Sequence, residues 1–287
     1  MANIVITGAT SGIGEATAAA LAGPECRLGM VARNPDKAAR VRRALLDAAP
    51  GAEVDVFIAD LSLLAEVRRV AAEIDAAFDR LDVLINNAGV SASAPRTTAE
   101  GIDEMLAVNA LAPFLLTNLL LEKLKASAPS RVVNVASEAH RLGWSAGPDD
   151  LYHLGGYGRL GGMRAYGKTK LLDILFTFEL ARRLDGTGVT ANCLCPGLVA
   201  TNLPSDQPAA VALGNLLSRT PLVRTPAAGA RMSVRLATDP GVAGVTGRFF
   251  TSTAAAKPLP AVPALRDIER QRALWEAMAQ RCGLTGD

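Results

Sequence analysis

Tyr166 and Lys170 have the types and spacing needed to move a proton. They lie four residues apart in a helical pattern from Arg164 to Leu184, which places both on one face of a helix. An ammonium group beside a phenol favours the phenolate and lowers the phenol pKa from about 10 toward the range of a general acid/base. Tyr-x-x-x-Lys is also common by chance, so the pair alone leaves its role open.

Ser137 follows a predicted strand near 131–136, at the sheet edge where Asn87 is also expected. Its hydroxyl could reach a substrate carbonyl there. Capping of the next segment would explain the serine equally well.

The two histidines, His140 and His153, are interpreted as structural or surface residues, because Tyr166 already fills the proton-transfer role. His153 lies in a glycine-rich segment, so of the two it is the better candidate for contacting substrate.

A glycine loop follows the first predicted strand and precedes a helical pattern, in the order Thr7-Gly8-Ala9-Thr10-Ser11-Gly12-Ile13-Gly14. Gly8 can make the tight turn, Gly12 lets a pyrophosphate approach the backbone, and Gly14 lets the helix pack against the sheet. The helix N-terminus offers free N–H groups to the phosphate. The alternative is an ordinary strand-to-helix turn, but the position at the first such turn favours a dinucleotide site.

Arg33 lies at the end of the second predicted strand, where NAD-specific domains carry an acidic residue for the ribose 2′-hydroxyl. The stretch Gly29-Met30-Val31-Ala32-Arg33-Asn34 contains no carboxylate. A guanidinium can bind a 2′-phosphate with two hydrogen bonds, so NADP(H) is predicted. A plain surface arginine is the alternative.

Two further polar sequences end predicted strands, Asp60-Leu61 and Asn86-Asn87-Ala88-Gly89. Ligands dock at the carboxyl ends of parallel strands, so both are candidate cofactor contacts. Each also has a simpler explanation, as a helix cap and as a polar turn.

These residues need a scaffold, and the hydrophobic pattern predicts one. Short apolar runs alternate with helical patterns, which indicates parallel β-α-β units in a sheet covered on both faces. The predicted fold is α/β, a doubly wound parallel sheet (Rossmann fold) in three α/β/α layers, with residues 1–287 in a single domain. Strands are expected near 3–7, 27–32, 53–58, 82–86, 131–136, 188–194 and 246–250.

Two segments interrupt this alternation, 141–163 with seven glycines and 202–226 with four prolines. Irregular segments of this length often bind ligands, so both are predicted to form the substrate pocket. Their large side chains would make its wall, namely Trp144, Tyr152, Tyr157, Leu203, Val211, Leu213 and Leu217. An amphipathic helix at 264–280 is expected to end the chain.

Composition excludes several classes of protein. The chain has 30 basic and 28 acidic residues without a basic stripe, which argues against nucleic-acid binding. The cysteines are too few for a disulfide framework and lack metal-ligand spacing, so reduced thiols and no metal are expected; they are Cys26, Cys193, Cys195 and Cys282.

Neither a secretory signal nor a membrane span is predicted. The N-terminus enters an apolar strand without a basic region, and the longest apolar stretch, 107–121, is interrupted by Asn109 and Pro113. A cytoplasmic protein is expected.

Taken together, the motifs resemble the short-chain dehydrogenases/reductases. The similarity rests on Thr7-Gly8-x-x-x-Gly12-x-Gly14, Asp60, Asn86-Asn87-Ala88-Gly89, Asn109, Ser137, Tyr166-x-x-x-Lys170 and Pro196-Gly197-Leu198-Val199-Ala200-Thr201, in family order. The sequence is most similar to the retinol-dehydrogenase-like branch through Val31-Ala32-Arg33-Asn34, the apolar run 109–117, Ser137-Glu138-Ala139-His140 and Arg272-Ala273-Leu274-Trp275-Glu276.

The resemblance implies a role for each matching residue. Tyr166 would be the acid/base, Lys170 would lower its pKa and hold the nicotinamide ribose, and Ser137 would orient the carbonyl. Asn109 would hold a water in the proton relay. The implied cofactor contacts are Gly8, Ser11, Gly12, Ile13, Gly14, Arg33, Asn34, Asp60, Leu61, Asn87, Ala88, Gly89, Tyr166, Lys170, Pro196, Gly197, Val199 and Thr201, of which Thr201 would bind the carboxamide.

Two features depart from that branch. Cys195 stands where a histidine is expected before Pro196-Gly197, and the segment before Tyr166 is unusually rich in glycine. Cys193 and Cys195 alternate on a predicted strand, so packing is the expected role of both.

The predicted function is an NADP(H)-dependent oxidoreductase that interconverts an alcohol and a carbonyl on a bulky apolar substrate, with a homo-oligomer allowed. One alternative is a tailoring ketoreductase of bacterial secondary metabolism, which the 24 arginines against six lysines and the abundant alanine favour. A non-catalytic NADPH-binding sensor is another, although such a protein would have no chemical need for the whole set Asn109, Ser137, Tyr166 and Lys170.

Overall fold

Seven parallel strands form one sheet at the centre of the protein. The computed structural model describes residues 1–158, 162–199, 224–256 and 258–284. The strands are β1 (Ala2–Thr7), β2 (Cys26–Ala32), β3 (Glu53–Ile58), β4 (Val83–Asn86), β5 (Ser130–Val135), β6 (Val189–Cys195) and β7 (Phe249–Thr251). Their order is β3-β2-β1-β4-β5-β6-β7, which is the doubly wound order and confirms the predicted fold class.

Helices connect these strands and cover both faces of the sheet. They are α1 (Gly12–Leu21), α2 (Pro35–Ala48), α3 (Leu64–Ala77), α4 (Glu104–Leu106), α5 (Ala112–Leu119), α6 (Leu121–Ala126), α7 (Met163–Arg183), α8 (Pro226–Thr238) and α9 (Ile268–Arg281). A π-helical turn, Ala107–Leu111, joins α4 to α5.

The three layers follow from the two-residue period of the strands. Ile4 and Ile6 of β1 pack into a cluster with α1, α2 and α8, whereas Val5 between them packs into the opposite cluster with α3, α5, α7 and α9. Successive side chains of a strand point to opposite faces, so an unbroken apolar run is buried on both sides. This pattern in the sequence predicts a parallel sheet that is covered on both faces.

The carboxyl ends of the strands meet at one edge. Thr7, Asn86, Val135 and Cys195 end β1, β4, β5 and β6, which are neighbours in the sheet. All the central candidate residues therefore project from a single edge, where ligands dock in folds of this class.

Two element boundaries differ from the sequence prediction. The last strand begins at Phe249 instead of residue 246, because Gly247 has a φ of 66° that a regular strand does not accommodate. The last helix begins at Ile268 instead of residue 264, because the Asp267 side chain accepts the backbone N–H of Arg270 and so caps the helix. A separate 3₁₀ turn occupies Pro263–Arg266.

The glycine-rich segment is more regular than expected. The sequence of 141–163 shows no helical pattern, yet 3₁₀ turns occupy Glu138–Gly143 and Pro148–Leu151. Each spans too few residues to show a periodic apolar pattern. Most of the other irregular segment, 202–226, lies outside the described residues.

The structure bears on two features considered in the sequence, the cysteines and the apolar stretches. All four cysteines are buried and none forms a disulfide. Within the described ranges, no helix combines the length and the apolar character needed to cross a membrane.

Candidate active site

A glycine cradle lies between β1 and α1. Gly8 and Gly12 have φ values of 69° and 54°, in the left-handed region that favours glycine. A Cβ atom on Gly14 would lie 2.1 Å from the carbonyl oxygen of Gly8, and one on Gly8 would lie 2.9 Å from Cα of Ala88. Side chains at these positions would fill the cradle or overlap its walls.

The N-terminus of α1 opens onto this cradle. Ser11 is the N-cap residue in extended conformation, but its side chain makes no capping hydrogen bond. The hydroxyl and the first backbone N–H groups of α1 are therefore available to a phosphate. Ile13 packs toward Gly229 of α8 beside Val199, which fixes α1 against the end of the sheet.

Thr7 and Asn87 hold the two neighbouring strand ends together. The Thr7 hydroxyl oxygen accepts the backbone N–H groups of Asn87 and Ala88, both at 3.0 Å. The Asn87 side chain donates in return to the carbonyl oxygens of Thr7 at 2.9 Å and Gly8 at 3.2 Å. Asn87 thus shapes the cradle from the side, a role in addition to the predicted polar turn.

The predicted adenosine contacts lie at the ends of β2 and β3. Arg33 is exposed and forms no hydrogen bond or ion pair with the residues that the structure describes. Asn34 caps α2 by accepting the backbone N–H of Lys37 at 2.8 Å. Asp60 accepts the backbone N–H of Ser62 at 3.0 Å within a turn, whereas Leu63 is the N-cap residue of α3, so the helix-cap alternative for Asp60 is wrong.

Ser137 lies directly beyond β5, and its hydroxyl is oriented by the following turn. Its oxygen accepts the backbone N–H of Ala139 at 3.1 Å, so the capping alternative is also realised. That hydrogen bond uses the oxygen and leaves the hydroxyl hydrogen available for donation. The Ser137 hydroxyl also lies close enough to Tyr166 to influence the pKa of the phenol.

Tyr166 and Lys170 lie in the first turns of α7, next to Ser137. The Lys170 Nζ atom is 6.0 Å from the centre of the Tyr166 ring. Lys170 is only 4% exposed and donates to the carbonyl oxygen of Val135 at 2.8 Å. The structure therefore brings together the phenol, the hydroxyl and the ammonium group that the sequence analysis selected.

The pKa of Tyr166 differs from the sequence expectation, which was a fall from its usual value. In the structure burial raises this pKa, because the phenolate loses hydration, and the neighbouring Ser137 hydroxyl opposes the rise. Burial likewise lowers the pKa of Lys170. The i, i+4 spacing indicated that the Lys170 charge lies near the Tyr166 phenol. It contained no information about how deeply the two side chains are buried.

Asn109 lies in the π-helical turn between α4 and α5. Its side chain clamps Val90 on both sides, accepting the backbone N–H at 2.8 Å and donating to the carbonyl oxygen at 2.9 Å. It also donates to the Thr169 hydroxyl at 3.1 Å. π-helical turns interrupt the regular hydrogen-bond ladder and often mark functional sites. A Cβ on Gly89 would lie 3.4 Å from the Asn109 side-chain oxygen.

A contact between two glycines, which no sequence pattern indicated, holds the site together. A Cβ on Gly143 would lie 2.3 Å from the carbonyl carbon of Gly167, and one on Gly167 would lie 2.3 Å from the carbonyl oxygen of Ala139. Gly167 directly follows Tyr166, and Ala139 is in the turn that Ser137 begins. The bare backbones let the turn that begins at Ser137 approach α7 next to Tyr166.

The described part of the glycine-rich segment is tied to the site by two polar contacts. Tyr157 donates to Asp103 at 2.7 Å. Lys168, inside the Tyr-x-x-x-Lys motif, pairs with Asp150 at 2.6 Å. Of the predicted wall residues, Trp144 is 62% exposed.

Tyr152 is 63% exposed and lies against the guanidinium of Arg281 on α9. Tyr157 is half-buried. The remaining wall residues, Leu203, Val211, Leu213 and Leu217, lie outside the described residues.

The chain beyond β6 runs along the same edge of the sheet. Gly197 has a φ of 91°, and the carbonyl oxygen of Leu198 accepts the backbone N–H of Arg224 at 2.8 Å. Arg224 also donates to the carbonyl oxygen of Ser252 at 2.6 Å. These contacts fix the Pro196–Val199 stretch beside the site. Thr201, the predicted carboxamide contact, lies outside the described residues.

His140 and Cys195 lie immediately behind Ser137. His140 is 1% exposed, and its Nδ1 donates to the carbonyl oxygen of Ser137 at 2.7 Å. The Cys195 sulfur accepts backbone N–H groups from Glu138 at 3.3 Å and Gly197 at 3.4 Å, a role beyond packing. His153 is exposed.

The residues present fit a dinucleotide. The Gly8–Gly14 cradle excludes side chains, the α1 N-terminus opens onto it, and Arg33 is free to bind an anion. The polar groups that could move a proton lie along the sheet edge from this cradle, so the arrangement can join redox chemistry to proton transfer.

Comparisons with known proteins agree with this geometry. A family model described as "short chain dehydrogenase" matches residues 2–149. Retinol dehydrogenase 14 of Homo sapiens is 41% identical over 297 aligned residues, covering 98% of this chain and 86% of that protein.

Two solved structures share the fold over nearly their whole length. An uncharacterized protein from Mycobacterium paratuberculosis has a TM-score of 0.74 and 28% identity, covering 99% of this chain and 94% of that one. A protein described as an NAD(P)-dependent gluconate 5-dehydrogenase from Beutenbergia cavernae, with NADP bound at low occupancy, has a TM-score of 0.68 and 29% identity, covering 87% and 94%.

Proposed function

The chain belongs to the short-chain dehydrogenase family of oxidoreductases, and from this premise we propose that it interconverts an alcohol and a carbonyl on a bulky apolar substrate with NADP(H). One observation carries the proposal. Tyr166, Ser137 and Lys170 converge at the sheet edge that also holds the glycine cradle, with the Ser137 hydroxyl close enough to influence the pKa of Tyr166 and Lys170 anchored on Val135.

Tyr166 is the acid/base of the proposed reaction. NADPH, when bound, supplies the hydride that reduces the carbonyl carbon. The Tyr166 hydroxyl donates its proton to the carbonyl oxygen in reduction and takes it back in alcohol oxidation. Burial keeps the phenol protonated, which suits a proton donor. Reduction is the proposed direction, since cells keep their NADPH pool largely reduced.

Ser137 orients the carbonyl for this transfer. Its oxygen is held by the backbone N–H of Ala139, so its hydrogen can point toward a substrate oxygen or toward Tyr166. A donor fixed before the substrate arrives stabilises the charge that develops on the oxygen without reorganising during the reaction.

Lys170 provides a fixed positive charge beneath Tyr166. An ammonium group has three N–H donors, and one of them is committed to the Val135 carbonyl. We assign a second to the nicotinamide ribose. Its charge favours the phenolate that Tyr166 becomes after giving up its proton, which lowers the cost of the transfer.

Arg33 supports the choice of NADP(H). It is exposed at the end of β2 and free of partners among the described residues, and the stretch from Gly29 to Asn34 contains no carboxylate for a ribose 2′-hydroxyl. Charge-assisted hydrogen bonds to a phosphate are strong, especially when a guanidinium makes two of them.

Exposed apolar side chains support the apolar substrate. Leu142, Trp144, Met163 and Leu198 are each 44% or more exposed, and they flank Ser137, Tyr166 and the end of β6 in sequence. We place the substrate pocket between the segments 141–163 and 202–226. The relatives named as retinol dehydrogenases make an apolar aldehyde the first substrate to test.

The direct test is the loss of NADPH absorbance with three carbonyl compounds, namely all-trans-retinal, a polycyclic aromatic ketone and 5-ketogluconate. Turnover of the first or second, with little of the polar third, is expected. Turnover of the aromatic ketone alone would favour a tailoring ketoreductase. NADPH binding without oxidation across the panel would instead indicate a sensor and contradict the proposal.

A further inference from the structure

Asp173 is a buried carboxylate that the proposed reaction does not use. It lies on α7 one turn beyond Lys170 and is 2% exposed. Its Oδ2 atom is 3.8 Å from Lys170 Nζ, and its Oδ1 atom has no hydrogen-bond partner among the described residues. Burying a carboxylate with so little compensation is costly, so its place beside the proposed catalytic lysine requires an explanation.

A polar chain within the core fixes the helical turn that carries Asp173. The Thr177 hydroxyl donates to the Asp173 carbonyl oxygen at 2.7 Å and accepts from the Asn134 side chain of β5 at 2.8 Å. Asn134 in turn accepts from Asn86 of β4 at 2.8 Å. Asp173 is therefore attached through its backbone to the centre of the sheet.

The groups that face this carboxylate lie on two elements. Lys170 and Tyr166 are on the same helix as Asp173. Burial raises the pKa of Tyr166, and the Asp173 charge adds to that rise. Cys193 faces it from β6, and Cys195 of the same strand lies near Lys170 and Tyr166 instead. Burial raises the pKa of Cys193, and the Asp173 charge adds to that rise, which keeps the thiol neutral. Among these neighbours of Asp173, Lys170 is the positively charged residue.

Lys170 and Asp173 compensate each other's burial. Burial lowers the pKa of Lys170, and the Asp173 charge opposes that fall. Burial raises the pKa of Asp173 to about 6, and the Lys170 charge opposes that rise. Each charge therefore offsets part of the burial cost of the other, and the two residues are counter-ions in a region with little other compensation.

We propose that Asp173 is a positioning residue for the reaction: its carboxylate keeps the Lys170 ammonium group charged and directed toward Val135 and Tyr166. This inference rests on the proposed function of Tyr166 and Lys170. Asp173 itself touches neither the proposed substrate site nor the cradle and acts only through Lys170.

The test is the pH dependence of kcat/KM for reduction of all-trans-retinal by NADPH in Asp173→Asn. The substitution keeps the shape and removes the charge. Without the negative charge, both Tyr166 and Lys170 lose their protons more readily, and both changes end carbonyl reduction at lower pH. We expect the alkaline limb of the profile to move down by about one pH unit or more.

Glu179→Gln is the matched control. Glu179 is a buried carboxylate on the same helix, paired with Arg182 at 2.6 Å and Arg183 at 2.9 Å, away from Lys170. Its loss should weaken the fold without moving the alkaline limb. A shift of equal size in Glu179→Gln would show that any damage to α7 has this effect and would overturn the proposal.

Further outcomes separate this inference from the proposed function. Near-normal turnover by Tyr166→Phe would refute the proposed function itself. Loss of turnover there, with an unchanged alkaline limb in folded Asp173→Asn, would overturn only the role of Asp173. If Asp173→Asn does not fold, the smaller Asp173→Ser replaces it, and failure of both to fold would assign Asp173 to stability alone.

Discussion

Gly143 and Gly167 pack backbone against backbone, so that a Cβ atom on Gly143 would lie 2.3 Å from the carbonyl carbon of Gly167. The contact joins the turn that begins at Ser137 to the helix that carries Tyr166 and Lys170. The absence of side chains at Gly143 and Gly167 therefore sets how closely the hydroxyls of Ser137 and Tyr166 approach each other.

Gly167→Ala should damage both stability and turnover. Alanine is the better helix former, but its Cβ would lie 2.3 Å from the Ala139 carbonyl oxygen, and overpacking of this kind typically costs 1–3 kcal/mol. Thermal unfolding and retinal reduction would be measured together. Gly23→Ala is the control, since a Cβ at Gly23 meets no atom within 4 Å. Unchanged turnover in Gly167→Ala would show that the contact does not position Ser137.

Much of the fold was predictable from the sequence because strands buried on both faces have a distinct pattern. Runs such as Ile4-Val5-Ile6 must be covered on both sides, and six of the seven strands begin within one or two residues of their predicted starts. The exception, β7, follows Gly247, whose positive φ no propensity pattern reveals. Short turns such as Glu138–Gly143 also remained hidden, because six residues cannot show a helical period.

The sequence predicted which residues form the candidate site. It did not predict how deeply they are buried or which charged groups surround them. Motif spacing selected Tyr166, Lys170 and Ser137, which the structure brings together. It did not indicate that burial raises the pKa of Tyr166, nor that Asp173 lies beneath Lys170. Both depend on packing between elements that are distant in sequence.

Cofactor choice should depend on Arg33. We expect NADPH to bind at least about tenfold more tightly than NADH, a difference of about 1.4 kcal/mol that one charge-assisted phosphate contact supplies. Arg33→Asp should reverse this order in fluorescence titrations. Arg43→Asp makes the same charge change at an exposed position of α2 and should leave the preference intact. Equal affinities in the wild type would refute the assignment.

The buried Asp173 should make stability depend on pH in a defined direction. Folding raises its pKa from 3.8 to about 6, so the native state binds the proton more tightly than the unfolded chain. Its contribution to stability is therefore present below about pH 4 and is lost as the pH rises through about 6. The shift of about two units corresponds to about 3 kcal/mol.

Urea unfolding from pH 4 to pH 7 measures this effect. Relative to Asp173→Asn, the wild-type free energy of unfolding should fall by up to about 3 kcal/mol across that range. A difference between the two proteins that stays constant with pH would mean that Asp173 titrates normally in the folded protein.

The glycine-rich segment should respond to substrate more than to NADPH. Tyr157 ties it to Asp103, and Tyr157→Phe removes a hydrogen bond to a carboxylate, a kind of bond worth about 1.5–3 kcal/mol. We expect a higher KM for retinal with an unchanged NADPH affinity. In hydrogen exchange of the wild type, protection in 141–158 should increase on adding substrate or a competitive inhibitor to the NADPH complex. Full protection by NADPH alone would place the pocket wall elsewhere.

The most direct test of the proposed chemistry is Tyr166→Phe, assayed for NADPH binding and for single-turnover reduction of all-trans-retinal. The ring remains and the proton donor is lost, so turnover should fall by roughly 10²–10⁴ while NADPH affinity stays nearly unchanged. Near-normal single-turnover rates in Tyr166→Phe would contradict the assignment of Tyr166 as the acid/base.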